Sequence, residues 1–183
     1  MKALFAGALG LAALVAGWPA QAGDKQGTEV KLGKYASKTP ATWTSNAKLS
    51  KFRTHQFKIP GAAKGDEGEL VIFYFDGGGG SLEQNLDRWK KMFRPAEGKT
   101  ENAKVETFKV GDIKITYLDV SGTYEFRNPP NDPNAKLERR PDYRMFSIYF
   151  DCDDGPYFIR LTGPAKTMEQ SKKSFDEWLK NFK

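Results

Sequence analysis

The chain has 183 residues, with 29 Lys and Arg against 23 Asp and Glu, one histidine and one cysteine. A lone Cys152 excludes an internal disulfide framework, and a lone His55 excludes a His-rich zinc centre. The formal charge of +6 favours anionic partners such as phosphates, acidic glycans or an anionic membrane surface.

The N-terminus carries an export pattern. Lys2 is a short basic region, Ala3 to Gly17 is apolar and uncharged, and Ala20-Gln21-Ala22 places small residues at the −3 and −1 positions before Gly23. Residues 1–22 are therefore expected to be a signal peptide, with the mature chain periplasmic or secreted. Trp18-Pro19 interrupts the run where an anchor would need roughly 18 apolar residues, and no cysteine follows it to carry a lipid. No later stretch is long and apolar enough to predict a transmembrane helix. Loss of Lys2 would lower the charge from +6 by one, and export argues against nucleic acid as the partner.

Residues 23–44 are polar and show no sustained periodicity, with Lys25, Lys31, Lys34 and Lys38 spread through them. They read as an N-terminal arm, loose or ordered on contact, docking near Pro40 and Trp43. Residues 45–183 read as a single domain. Leu49 to Ile59 is β-like and ends at Pro60-Gly61. Leu70 to Phe75 is short, apolar, and rich in β-branched and aromatic residues, which predicts a central strand covered on both faces. Gly77 to Gly80 end it, and Ser81 with Gln84 fits a capping box at the start of a helix. Leu82, Leu86, Trp89 and Phe93 continue at helical spacing, with Pro95 and Gly98 closing that helix.

Val105–Val110 and Ile113–Tyr124 flank Gly111-Asp112 as a hairpin. Residues 125–142, with four prolines, predict a long loop. Tyr143–Asp151 and Tyr157–Thr162 predict a second hairpin. Thr167 and Gln170 suggest another capping box, ahead of a stripe of Met168, Ser171, Phe175, Trp178, Leu179 and Phe182. This order predicts an α+β domain: a largely antiparallel sheet of about six strands with helices covering it.

Candidate chemistry is sparse. The Gly77, Gly78, Gly79, Gly80 run before Ser81 resembles an anion-binding helix start. It lacks the Gly-Lys-Ser/Thr end of a phosphate loop, and Asp76 beside it repels anions. Asn85 falls on the apolar side of its helix and is expected to bond to backbone, and Arg88 at the stripe edge to stack or pair with a carboxylate. His55 would have to serve any Ser–His–Asp or Cys–His triad, yet it sits among Arg53, Thr54 and Gln56 and reads as a hydrogen-bonded surface histidine. Ser81 lacks the second glycine of a nucleophile elbow. Asp151, Asp153 and Asp154 do not fit a calcium loop, because Gly155 falls one position early and Thr162 stands where a Glu is needed. No metal site and no cofactor are expected. Arg127, Arg139, Arg140 and Arg144, near Tyr124, Phe126 and Tyr143, suit recognition of anionic or planar groups.

Four stretches, Ser45–Pro60 (SNAKLSKFRTHQFKIP), Phe73–Trp89 (FYFDGGGGSLEQNLDRW), Asp119–Tyr124 (DVSGTY) and Gly155–Pro164 (GPYFIRLTGP), together resemble a family of small exported bacterial proteins with no assigned activity. The resemblance covers most of residues 42–183. In element order the chain is more distantly similar to the extrinsic photosystem II protein PsbP and its relatives. That similarity implies a single-domain α/β/α sandwich of a kind found in accessory and binding proteins. The expectation is a non-enzymatic binding or accessory module for an anionic small molecule, glycan or envelope protein. Its candidate ligand residues are Gly77–Ser81, Arg88, Arg127, Arg139, Arg140 and Arg144. The alternative is a carboxylate-dependent hydrolase acting on an anionic or glycan substrate.

Overall fold

Alternation with a period of two sorts the strand side chains onto two faces, and a helix covers part of each. The computed structural model describes residues 27–46, 51–76, 78–95, 102–127 and 134–183. The expected leader 1–22 and the start of the arm lie outside these residues. So do Gly77, Gly98 and three of the loop prolines, Pro129, Pro130 and Pro133.

The elements are β1 (Glu29–Leu32), β2 (Tyr35–Lys38), β3 (Thr44–Ser45), β4 (Arg53–Ile59), β5 (Gly68–Tyr74), α1 (Leu82–Lys90), β6 (Phe93–Arg94), β7 (Ala103–Val110), β8 (Ile113–Phe126), β9 (Glu138–Asp151), β10 (Tyr157–Pro164) and α2 (Ala165–Lys180). The main sheet has eight strands in the order β3-β4-β5-β10-β9-β8-β6, with β7 also paired to β8. Every pairing is antiparallel. The fold is a single α+β domain. The expected count of about six strands is corrected to eight, because β3 and β6 are two-residue strands, too short for any period to show.

The central strand is where the sequence puts it: β5 lies between β4 and β10. Leu70 and Ile72 join Ile115, Tyr117, Phe146, Ile148, Ile159 and Leu161 on one face, under Met168, Phe175, Trp178 and Leu179 of α2. The opposite face collects Leu118, Val120, Met145 and Phe158 under Trp89 of α1. The two helices thus pack on opposite sides of the sheet.

Four local expectations are corrected. Residues 29–38, expected within an arm loose or ordered on contact and without periodicity, form a hairpin (β1 and β2), with Val30 and Leu32 fully buried in the α2-side core. Val30 and Leu32 do alternate with charged residues, but over too few positions to stand out. The hairpin is tied down by its neighbours: Ser37 Oγ donates to the Trp178 carbonyl at 2.9 Å, and Ala36 and Lys183 exchange backbone hydrogen bonds. Next, α1 ends at Lys90, ahead of Phe93. Phe93 pairs with Tyr124 of β8 and packs its ring 5.1 Å from that ring, so strand pairing overrides helical spacing. Thirdly, α2 has no side-chain cap, because Thr167 lies inside the helix and its Oγ1 donates to the Asp66 carbonyl at 2.6 Å. Finally, both ends of the predicted 125–142 loop are strand, 125–126 belonging to β8 and 138–142 to β9. Arg140 pairs with Tyr124 and Tyr143 with Gly122, so Pro141 and Asp142 oppose Thr123 alone. This β-bulge accommodates the proline and the positive φ of 54° at Asp142.

Leu32→Ala is expected to destabilise the whole domain by about 2–5 kcal/mol, because the site is fully buried and cannot collapse without moving β1. Urea unfolding followed by tryptophan fluorescence checks this. An unchanged midpoint would mean that the hairpin lies outside the cooperative core.

Candidate functional site

The face under α1 is only partly covered, and a groove of about 410 Å³ opens between β4, β5, β10 and α1. That volume lies in the lower part of the roughly 300–1,000 Å³ range of small-molecule sites. Its apolar lining comes from Phe52, Phe73, Phe75, Trp89, Met92 and Phe158, and its charges from Arg53, Arg88 and Arg160. No Asp or Glu lines it.

Strand register builds this arrangement. Phe73 of β5 pairs with Arg53 of β4 on one side and with Phe158 of β10 on the other. Arg160, two residues beyond Phe158, shares its face. Arg53 Cζ lies 5.7 Å and Arg160 Cζ 5.0 Å from the Phe73 ring centroid, so two guanidinium groups rest against one aromatic ring. Arg160 Nη1 reaches the Met92 sulfur at 3.6 Å, while its Nε is buried with no hydrogen-bond partner among the described residues. Burial pushes the Arg160 pKa below its ordinary value, and Arg53 and Arg88 push the same way, against Tyr124 and Glu69. Arg160 remains a cation all the same.

The helix start beside the groove is internally satisfied. Ser81 Oγ accepts from Gln84 N at 3.2 Å and Gln84 Oε1 accepts from Ser81 N at 3.0 Å, the expected capping box. Asn85 is fully buried, and its Nδ2 donates to the Gly79 and Ser81 carbonyls at 3.2 and 2.8 Å. Arg88 donates to Asn85 Oδ1 instead of pairing with a carboxylate. Gly79 has φ +67°, and a Cβ there would fall 2.7 Å from Phe75 and 2.8 Å from Phe158.

The candidate residues divide. Gly79 and Arg88 line the groove, while Gly78, Gly80 and Ser81 form the turn and cap next to it. Gly77 lies outside the described residues. The other four candidate arginines do not converge on the groove. Arg127 Nη1 donates to the Ala135 carbonyl at 2.8 Å. Arg139 pairs with Glu125 at 3.4 Å. Arg140 forks onto Glu138 at 2.9 and 3.1 Å, its Cζ 4.2 Å from the Phe126 ring centroid. Arg144 binds both Asp119 oxygens, at 2.8 and 2.7 Å, and also Glu169. Hydrogen bonds from Arg144 to Asp119 hold its pKa above the ordinary value.

On the α2 side, Glu106, Asp119 and Asp176 line a second groove of about 380 Å³ with Tyr117. Each carboxylate there is held by a cation: Glu106 by Lys104, Asp119 by Arg144 and Asp176 by Lys172.

No family model matches the chain, and no curated protein does. Among solved structures, it is similar to PA94, a protein of unknown function from Pseudomonas aeruginosa. Identity is 12% and the TM-score 0.45, over 84% of this chain and 93% of the other. A likeness at that level transfers no residue roles. The site therefore rests on the residues themselves.

Arg53 and Arg160 are absent from the sequence-derived candidates. One signal for Arg160 is visible in retrospect: it is the only charge in Tyr157–Pro164, between Ile159 and Leu161. Arg53 has no such signal, because a basic residue at the start of a strand is unremarked. Elsewhere, His55 Nδ1 lies 3.1 Å from Thr54 Oγ1, and burial lowers its pKa. Among the described residues, no group of three or more His, Cys, Asp and Glu is disposed to hold a metal ion, and no helix is long and apolar enough to cross a membrane.

Burial, then the nearby Asp154, Asp151 and Asp153, pushes the Cys152 thiol up to about 12 from its ordinary 9.0. The protonated form is thus favoured in the fold, and the stability it contributes is lost as pH climbs from 9.0 towards about 12. Alkylation by iodoacetamide at mildly alkaline pH should be at least about tenfold slower in the folded chain than in urea. Equal rates would contradict the buried thiol. Gly79→Ala should destabilise by about 1–3 kcal/mol more than Gly111→Ala, whose φ is +58° but whose Cβ would meet open space. Matching denaturation midpoints would show that the groove wall yields.

Proposed function

We propose that this protein is a non-enzymatic binding or accessory module that takes an anionic ligand in the Arg53–Arg88–Arg160 groove. We infer that it acts in the periplasm or outside the cell after residues 1–22 are removed. We also infer a PsbP-like α/β/α arrangement, which the placement of α1 and α2 on opposite sheet faces supports.

The observation that carries the binding reading is Arg160. Its guanidinium stands on a sheet face among aromatic rings, its Nε lacks a partner, and no carboxylate lines the groove. Glu67 and Glu69 line instead a smaller cavity of about 100 Å³ that Arg160 also borders, and neither is ion-paired with it. Leaving a desolvated charge uncompensated is unfavourable by several kcal/mol, and a bound oxyanion would supply the missing acceptors. Arg139, Arg140 and Arg144 are already paired with carboxylates, whereas Arg53 and Arg88 donate only to the neutral Gln56 and Asn85 side chains. The hydrolase alternative gains nothing from Glu106, Asp119 and Asp176, which are all occupied by cations.

Anilinonaphthalene sulfonate, an anionic aromatic probe, is expected to bind saturably. Arg160→Met should weaken it by at least about tenfold, equivalent to roughly 1.4 kcal/mol. Arg139→Gln, at an exposed pair with Glu125, should leave it unchanged. Fluorescence titration of the three proteins reads this directly. Equal affinity in the wild type and Arg160→Met would overturn the anion reading.

A further inference from the structure

Charge and apolar surface are segregated along the groove. Phe75, Phe73 and Val71 occupy every second position of the β5 chain. Phe158 pairs with Phe73 and Arg160 with Val71, so Phe158 and Arg160 are offset along the strand by about 7 Å. At one end the Phe75 ring lies 5.6 Å from Phe158 and 5.1 Å from Phe52, and Gly79 presents no side chain. Phe52 is 46% exposed despite that stacking, which leaves an apolar ring open at the groove mouth. At the other end stands Arg160; Arg53 starts level with Phe158 but its guanidinium shares the Phe73 ring with that of Arg160, and Arg88 lines the same groove.

We propose that the occupant is an anionic amphiphile: a carboxylate or phosphate head on a single acyl or aryl body. The head lies on Arg160, Arg53 and Arg88, and the body lies against Phe52, Phe75 and Phe158. The inference rests on the anion-binding reading above. A bare inorganic anion would leave the aromatic end wet. A neutral apolar molecule would bury Arg160 further without an acceptor. Only a ligand with both parts complements both ends. Each methylene added to the body and buried in the groove strengthens binding by about fourfold, until the aromatic end is filled.

Isothermal titration of the purified protein with dodecanoate, butyrate, inorganic phosphate and dodecyltrimethylammonium, all as monomers, tests this. Dodecanoate is expected to bind at least about tenfold tighter than butyrate or phosphate, and dodecyltrimethylammonium not at all. Arg160→Met should weaken dodecanoate at least about tenfold. Arg88→Gln, on the exposed side of α1, should weaken it in the same direction without touching the buried sheet. Phe75→Ala should abolish the preference for the longer chain while leaving butyrate unchanged. If butyrate and phosphate match dodecanoate and all three depend on Arg160, the amphiphile proposal is overturned and the anion reading stands. If dodecyltrimethylammonium binds as tightly as dodecanoate, if neither arginine variant changes dodecanoate binding, or if no anion binds at all, both fall.

Discussion

A mismatch of length organises the molecule. Helix α1 has 9 residues, about 14 Å of helix, against strands β8 and β9 of 14 residues each, roughly 47 Å when extended. On the other face, the 16-residue α2, about 24 Å long, brings Met168, Phe175, Trp178 and Leu179 down onto the sheet, and the β1–β2 hairpin adds Val30 and Leu32 to the same core. The α2 face is therefore covered over its centre, with a groove left beside Tyr117 and Asp176, and the other face keeps a strip of sheet that no helix covers. Arg160 lies on that strip. The same side chain at Ile159 or Leu161 would point into the α2-side core.

Electrostatics follow the same division. Where arginines and carboxylates meet at the sheet margins they pair, and Arg144 forks onto Asp119 while also reaching Glu169. Such pairs add little stability when exposed, but they leave few cations with free hydrogen-bonding capacity. In the groove the balance differs. Arg53 and Arg160 meet the Phe73 ring, Arg160 also a thioether, and Arg88 the Asn85 amide, and no ion pair involving Arg53, Arg88 or Arg160 is present among the described residues. The Phe73 ring compensates Arg53 and Arg160 in part through its π face.

Elements with a strong periodic signal were legible in the sequence. The β5 run, the Gly111-Asp112 hairpin, the Ser81–Gln84 capping box and the α2 stripe all stand where period and capping chemistry place them. Elements whose signal is shorter than one period were not. The four-residue strands β1 and β2, and the two-residue strands β3 and β6, exist because neighbouring backbone offers them partners. The proline-rich 125–142 stretch misled for a related reason. A proline excluded from a regular ladder is tolerated at a bulge, and whether a bulge forms depends on the facing strand.

For the candidate site the split is sharper. The sequence alone determined the order of the longer elements, the single cysteine and histidine that remove whole classes of chemistry, and the glycine turn with Arg88 just after it. Only the tertiary structure decided which arginines meet a carboxylate and which do not. Arg139, Arg140 and Arg144 cluster in the sequence, yet each finds a carboxylate in the fold. Arg53 and Arg160 are over a hundred positions apart and come to one ring because β4, β5 and β10 are adjacent strands in register. Adjacency along a strand is written in the chain. Adjacency across strands depends on pairing, and pairing is settled by which faces can be buried together.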